Sequence, residues 1–402
     1  MVTKQSRSAL ALLALAISSF AIGTTEFISV GLLPLISEDL DISVTTAGLS
    51  VTLYAVGVTV GAPLLTALTS RVPRKTLLIA IMIIFILGNS LAASAGSIAM
   101  LLIARVISSF SHGVFMSIGS TIAADLVPED RRASAIAMMF SGLTVATVTG
   151  VPLGTLLGQH MGWRTAFIAI AVIGVIALIS NLLLIPNTLR KGNRTKLSEP
   201  LKVLKNGRLL LAFAITMLGY GGTFVVFTYL SPLLHDITGF KESTIAGILV
   251  LYGVAIAVGN IIGGKAANKK PLSALLVMFI LQAVILLVLT FTAPYAAAAL
   301  VTITLMGLLA FMNVPGLQMY VVLLAERYMP KSIDVVSALN ISAFNAGIAI
   351  GAYIGGIITD KLGLIHTPWI GAVMVLGAVA LTAWSRSMEN KDAKGKALKA
   401  SA

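Results

Sequence analysis

Twelve stretches of this chain, each 20 residues or longer, are almost free of charged side chains and are mostly apolar. They run over 8–37, 44–69, 75–94, 97–123, 133–158, 163–185, 209–234, 243–265, 271–291, 295–325, 333–359 and 365–385. At 1.5 Å per residue, about 20 helical residues cover the roughly 30 Å of hydrocarbon in a bilayer. The 402 residues are 57% hydrophobic and 11% charged, against about 25% charged in soluble domains. No soluble core hides that much apolar surface, so lipid is the solvent, and in lipid only helices or closed barrels satisfy the backbone. Runs of this length predict an all-α membrane protein of twelve spans, numbered here in chain order. The basic start MVTKQSR before an apolar run resembles a signal peptide, but the runs continue, so it is read as an uncleaved first span.

An even number of crossings puts both termini on one face. With that face assigned to the cytoplasm, 24 of the 28 Lys and Arg residues fall on it, and only Arg164, Lys241 and Lys361 fall outside. This matches the positive-inside rule for a multi-pass membrane protein with both termini in the cytoplasm. It also accounts for the net charge of +13 as loop topology, which argues against nucleic-acid binding. There is no cysteine, so disulfides, thiolate metal sites and cysteine nucleophiles are excluded.

The longest internal polar stretch, NTLRKGNRTKLSEPLKVLKNGR at 187–208, falls between spans 6 and 7. The sequence on either side repeats. Pro34, Tyr54 and Gly61 recur 198 residues later as Pro232, Tyr252 and Gly259, and Gly150 and Gly154 recur 201 later as Gly351 and Gly355. The expected organisation is a six-helix bundle over 1–186, a basic cytoplasmic linker over 187–208, a second bundle over 209–386 and a tail over 387–402. Paired halves around a midplane site are a common build of secondary transporters.

Four motifs carry a family resemblance: GTTEF at 23–27, LLIARVISSFSHG at 101–113, TGVPLGTLLG at 149–158 and GWRTAF at 162–167. Together they resemble the major facilitator superfamily, within it the twelve-span drug:proton antiporters, and among those the bacterial sugar-efflux (arabinose-efflux-like) permeases. The resemblance covers nearly the whole chain. It implies two pseudo-symmetric six-helix bundles and export of a small organic solute, such as a drug or sugar, in exchange for protons. The loop between spans 2 and 3 departs from the family pattern: in TALTSRVPRK, Ser70 stands where an acid is expected and Thr66 where a glycine is, while the basic Arg71, Arg74 and Lys75 remain. Arg71 and Arg74 are candidate gating residues on that resemblance.

Glu26 is the one carboxylate in span 1. An acid near the bilayer centre costs about 2.5–3.5 kcal/mol on insertion scales. A structural acid reaching the headgroups is the plain alternative, but Glu26 lies roughly 16 Å short of a span end near residue 37, too deep for a short side chain. Arg105 in span 4, roughly 12 Å from the outer end, is its expected partner, with a snorkelling arginine as the alternative. His112 lies seven residues further along span 4, two turns away on the same face. If spans 1 and 4 face each other, as the resemblance implies, the three share a cavity. Burial favours a neutral carboxyl and a nearby arginine favours an ionised one. The expectation is that Glu26 carries or gates a proton, Arg105 sets its affinity, and His112 relays the proton or binds the solute.

Tyr54, Tyr220, Phe224, Tyr229, Asn313, Gln318, Asn340 and Asn345 are further candidates for a polar, aromatic solute site together with Glu26 and His112; each amide has the alternative of bonding a neighbouring helix. Gly150, Gly154 and Gly158 recur every four residues in span 5, a spacing that lets helices approach closely, and Pro152 should bend the span. A seal against proton leak at this motif is what the family resemblance adds.

Other motifs carry little. GNIIGGKA at 259–266 matches a phosphate-loop pattern but has Ala266 where a hydroxyl must hold magnesium. His160, His235 and His366 lack metal-ligand spacing. No metal or other cofactor is implied, and the partners expected are a small-molecule substrate, protons and lipid, with a monomer as the default. An enzyme would need a second acid or nucleophile near Glu26, and a sensor would need an effector domain; neither is visible. Symport and passive uniport remain alternatives to antiport, and sugars, chloramphenicol-like antibiotics, purine nucleosides and cationic dyes are all compatible solutes.

Overall fold

The computed structural model describes residues 4–69, 71–128, 132–187, 189, 199–267, 270–330 and 332–400. Ser70, Arg131 and most of the basic linker, 190–198, lie outside the described residues. Every regular element among the described residues is helical. Span 1 is Ser8–Asp39, span 2 Val44–Leu68, span 3 Arg74–Ala93, span 4 Ile98–Asp125 and span 6 Trp163–Leu184. Span 7 is Gly207–Phe227, span 8 Glu242–Ala267, span 9 Pro271–Thr292, span 11 Ile333–Lys361 and span 12 begins at Thr367.

Spans 5 and 10 are interrupted. Span 5 runs from Arg132 to Val145, passes through a π-turn at Ala146–Gly150 and continues as Val151–Met161. Eleven helices among the described residues are long and apolar enough to cross a membrane, and span 5 is the twelfth when its two arms, bent by 41°, are taken as one. The bend falls at Pro152, which lacks the N–H a helix interior needs, and the π-turn absorbs the mismatch just before it. Span 10 breaks between Ala310 and Val314, with Pro315 opening its second arm. Turn chemistry repeats as well. Gly162 and Gly363 adopt φ of 84° and 98°, a region that glycine enters without steric cost, and they stand 201 residues apart, the offset that also relates Gly150 to Gly351.

Buried apolar side chains form two clusters. One gathers residues from Ala11 to Ile185 and takes in Tyr229; the other gathers residues from Val203 to Ala378 and takes in Val30, Val51 and Ala55. Large apolar side chains such as Leu87, Leu183 and Phe291, on spans 3, 6 and 9, point outward, as a lipid-facing rim requires. Glycine sets the closest approaches. A Cβ on Gly150, Gly154 or Gly158 would strike Thr24, Ile28 or Leu32 of span 1, and one on Gly347, Gly351 or Gly355 would strike the backbone of span 7 at Met217, Gly221 or Val225. Spans 5 and 11 thus dock on spans 1 and 7 through equivalent glycine faces.

Span 2 runs antiparallel along span 11, and span 5 meets span 8. Thr45 donates to Asp360 Oδ1 at 2.6 Å and to Gly356 O at 3.2 Å, Thr59 donates to Ser342 O at 3.4 Å, and Gln159 Nε2 donates to Glu242 O at 2.7 Å. The Thr45–Asp360 and Gln159–Glu242 contacts lie on the face that carries the turns after spans 1, 5, 7 and 11.

Candidate functional site

Three helices converge on Glu26. Its residue is 8% exposed, and Arg105, His112 and Tyr54 are 1%, 4% and 2% exposed. The seven-residue spacing of Arg105 and His112 puts both on the face of span 4 that meets spans 1 and 2. The Glu26 carboxylate lies 4.0 Å from His112 Nδ1, which in turn is 3.3 Å from the Tyr54 hydroxyl.

Arg105 does something other than the expected pairing. Nη1 donates to the main-chain oxygen of Thr25 at 2.6 Å, Nη2 to that of Glu26 at 3.2 Å and Nε to that of Ser50 at 3.2 Å. Its guanidinium carbon sits 4.1 Å from the centre of the Tyr54 ring, a cation–π geometry. The arginine is buried and clamps spans 1 and 2 to span 4 through backbone carbonyls, and its influence on the Glu26 carboxylate is electrostatic at a distance. The clamp is braced from behind, where Thr25 Oγ1 donates to Asn89 Oδ1 of span 3 at 2.5 Å and Asn89 Nδ2 donates to Phe85 O at 2.9 Å.

The other half presents rings. Tyr220 packs against Phe224, Phe311 and Phe344 with centroid distances of 5.0, 5.3 and 5.0 Å, and Phe224 continues to Phe227 and Tyr252. Val30, one helical turn beyond Glu26 on span 1, is buried in the same apolar cluster as Tyr220, Phe224 and Tyr252, so the rings and the acid share one neighbourhood. The repeat offset of 198 places Phe224 opposite Glu26 and Thr223 opposite Thr25. The charged elbow of one half is therefore an aromatic one in the other, while the threonine brace is kept: Gln282 of span 9 bonds Thr223, as Asn89 of span 3 bonds Thr25.

The remaining candidates occupy distinct places. Asn340 Nδ2 donates to Gln318 Oε1 at 2.9 Å, Asn340 Oδ1 accepts from Thr216 Oγ1 at 2.8 Å, and Asn313 Nδ2 donates to Gln282 Oε1 at 2.9 Å. These amides link spans 7, 9, 10 and 11. Asn345 Nδ2 donates to Ile341 O of its own helix, and its Oδ1 is buried with no partner among the described residues. Tyr229 stands apart from Glu26: its hydroxyl donates to Ala352 O at 3.2 Å and its ring fills the gap left by Gly48 and Gly356, where spans 2, 7 and 11 close together. Arg74 pairs with Asp125 at the end of span 4 at 2.6 Å, and Arg71 is exposed. Asn89, Gln282, Phe311 and Phe344 were not singled out from the sequence; applying the 198-residue offset to Thr25 points to Thr223, which Gln282 bonds.

The sequence profile of the Major Facilitator Superfamily matches residues 15–336. The chain belongs to the major facilitator superfamily. It is 69% identical over 382 residues to the MFS-type transporter YtbD of Bacillus subtilis strain 168, covering 95% of this chain and 96% of YtbD. It is 42% identical to the inner membrane transport protein YdhP of Escherichia coli K12, covering 90% of this chain and 92% of YdhP. The crystal structure of the human organic anion transporter MFSD10 superposes with a TM-score of 0.72 at 17% identity, over 95% of this chain and 100% of that one, a likeness of fold. As a member of this superfamily the protein is a multi-pass membrane transporter.

Proposed function

We propose that this major facilitator protein is a proton-coupled antiporter that exports a small organic solute across a bacterial cytoplasmic membrane. Glu26 carries or gates the proton. The observation that supports this most directly is the placement of that single carboxyl beside His112, with Arg105 turned to main-chain oxygens, one helical turn from Val30, which packs with the aromatic cluster of the other half. A carboxyl held like this has no fixed counter-ion at bonding distance, so its protonation can follow the access of water and the arrival of solute. His112 and the Tyr54 hydroxyl continue the line of exchangeable groups.

The two six-helix units, 1–186 and 209–386, would rock about the seams between spans 2 and 11 and between spans 5 and 8. Cytoplasmic termini follow from the basic loops, and the inner-membrane name of YdhP supports the location. On this topology the face closed by Thr45–Asp360 is the outer one. Differential binding of proton and solute to the two access states drives the exchange.

The test is transport in everted vesicles with an imposed proton gradient, using arabinose, chloramphenicol, adenosine and ethidium as probes. Addition of a transported probe should release protons from the gradient in the native protein, and Glu26→Gln should abolish that release. Full proton-driven export by Glu26→Gln would refute the assignment; transport without proton movement would indicate uniport, and the opposite proton direction symport.

A further inference from the structure

The chain carries its site tyrosine twice. Tyr54 and Tyr252 are 198 residues apart, at equivalent places in spans 2 and 8, and the two copies have been put to different use. In the first, the ring carries the Arg105 guanidinium and the hydroxyl meets His112. In the second, the ring is stacked on Phe227 at 5.1 Å with an interplanar angle of 15°, and it lies so close to Gly307 that a Cβ there would come within 2.8 Å of it. The ring is therefore held rigidly. Its hydroxyl, on a residue only 2% exposed, has no hydrogen-bond partner among the described residues.

A buried phenol that bonds nothing sacrifices the whole of its hydration, which is why buried tyrosines ordinarily find a partner. Phenylalanine would fill the same stack without that cost. The location says what the hydroxyl is kept for. Tyr252 joins the Tyr220 rings through Phe227 and Phe224, and Val30, one turn beyond Glu26 on span 1, is buried in the same apolar cluster, so this hydroxyl and the Glu26 carboxyl flank one aromatic cluster from opposite halves. The next residue, Gly253, abuts the backbone of Thr147 and Val148 in the π-turn of span 5, which puts Tyr252 at the seam between the halves.

We propose that the Tyr252 hydroxyl is a solute-binding group and that the solute is two-ended: a flat, apolar or aromatic body that lies among Tyr220, Phe224, Phe311 and Phe344, a hydrogen-bond donor at the Glu26 end, and a second hydrogen-bonding group at the Tyr252 end. This rests on the reading that Glu26 and the C-terminal rings line one solute site. A bare monosaccharide, with a hydroxyl on nearly every carbon, would leave most of them unmatched against rings. A solute with two polar ends and an apolar middle satisfies both handles and also bridges the halves, which is the contact an exchanger needs to couple binding to rocking.

The test uses the full chain purified in lipid nanodiscs, with adenosine and chloramphenicol as two-ended aromatic probes and arabinose as the contrast, read by calorimetric titration. One aromatic probe should bind and arabinose should not. Tyr252→Phe should weaken that probe about tenfold, the scale of one hydrogen bond, and should leave the melting temperature of the unliganded protein unchanged or higher, because the hydroxyl bonds nothing in the protein. An unchanged affinity in Tyr252→Phe, where Glu26→Gln weakens the same probe, overturns the tyrosine's role and leaves the site standing. If neither variant moves the affinity, the shared site itself is wrong and the proposal falls with it. Binding of arabinose alone, or of no probe, overturns the solute class; a lower melting temperature in Tyr252→Phe overturns the tyrosine's role by showing a structural bond.

Discussion

Replacing Arg105 by lysine keeps a positive charge between spans 1, 2 and 4 but removes the planar fork, and the two roles open to this arginine then predict different outcomes. If it served only as a charge that biases Glu26, an ammonium near the same place would serve nearly as well. The structure gives it three hydrogen bonds to the main-chain oxygens of Thr25, Glu26 and Ser50 and a ring contact with Tyr54. A lysine has one nitrogen at the end of its stem and cannot reach carbonyls on two helices in the same geometry, so about two of the bonds are lost. Hydrogen bonds from charged donors are worth about 1.5–3 kcal/mol each, while interhelical bonds inside membranes average about 0.6 kcal/mol and reach about 1.7. Weighing the two scales, Arg105→Lys should destabilise the protein by about 2–4 kcal/mol. Reversible unfolding of the purified protein in mixed micelles measures this directly, with Arg105→Leu as the reference that loses charge and clamp together. A lysine variant within about 1 kcal/mol of the native protein would refute the clamp and return Arg105 to a purely electrostatic part.

Further outcomes follow from the packing. The chain has no cysteine, so the pair Thr45→Cys and Asp360→Cys can be crosslinked without background; since the native side chains meet at 2.6 Å, oxidation should form the bond and stop transport reversibly, and free transport by the crosslinked protein would show that this face need not open. Gly259→Val should cost about 3 kcal/mol or more, because its Cβ would strike the main-chain oxygen of Leu308 and backbone cannot yield as a side chain does. Gly247→Ala, where nothing lies within 4 Å of the added atom, should gain about 0.5–1 kcal/mol in the same unfolding assay. A double-mutant cycle on Arg74 and Asp125, paired at 2.6 Å and partly exposed, should give a coupling of about 0.5–1 kcal/mol that shrinks with salt.

The chain's own pattern announced the spans because lipid imposes a length and an apolarity that few other contexts demand, and Pro152 announced the bend of span 5. The meeting of Glu26, Arg105 and His112 needed the family resemblance as well, which set spans 1 and 4 face to face; counting residues gave only their depths, and the seven-residue spacing a shared face of span 4. What those arguments cannot reach is the main chain. Pairing a buried cation with the nearest acid is the natural reading of side chains alone, but helix carbonyls retain a second lone pair that no sequence displays, and Arg105 takes three of them. The same blindness hid Tyr229, whose place is set by the missing side chains of Gly48 and Gly356 on two other helices, and Asp125, which meets Arg74 across 51 residues where the expected acid at position 70 is a serine.

The repeat sets an acid in one half against a ring in the other. Each half builds the same elbow, a threonine in its first helix bonded to an amide in its third, as Thr25–Asn89 and Thr223–Gln282. On that shared elbow one copy sets Glu26 and the other Phe224, and one tyrosine is committed to Arg105 and His112 while its counterpart is stacked and left with a free hydroxyl. The proposed proton-coupled exchange requires the two surfaces to differ, because two identical acidic elbows would compete for the same proton and the same cation. Transferring the acid tests this reasoning: Phe224→Glu in a Glu26→Gln background places the carboxyl at the equivalent position of the other elbow, where Ile303 stands 198 residues after Arg105. That variant should fail to restore proton-driven export in everted vesicles, and restoration would mean that the elbow alone, without the Arg105 clamp and the His112 neighbour, suffices for coupling.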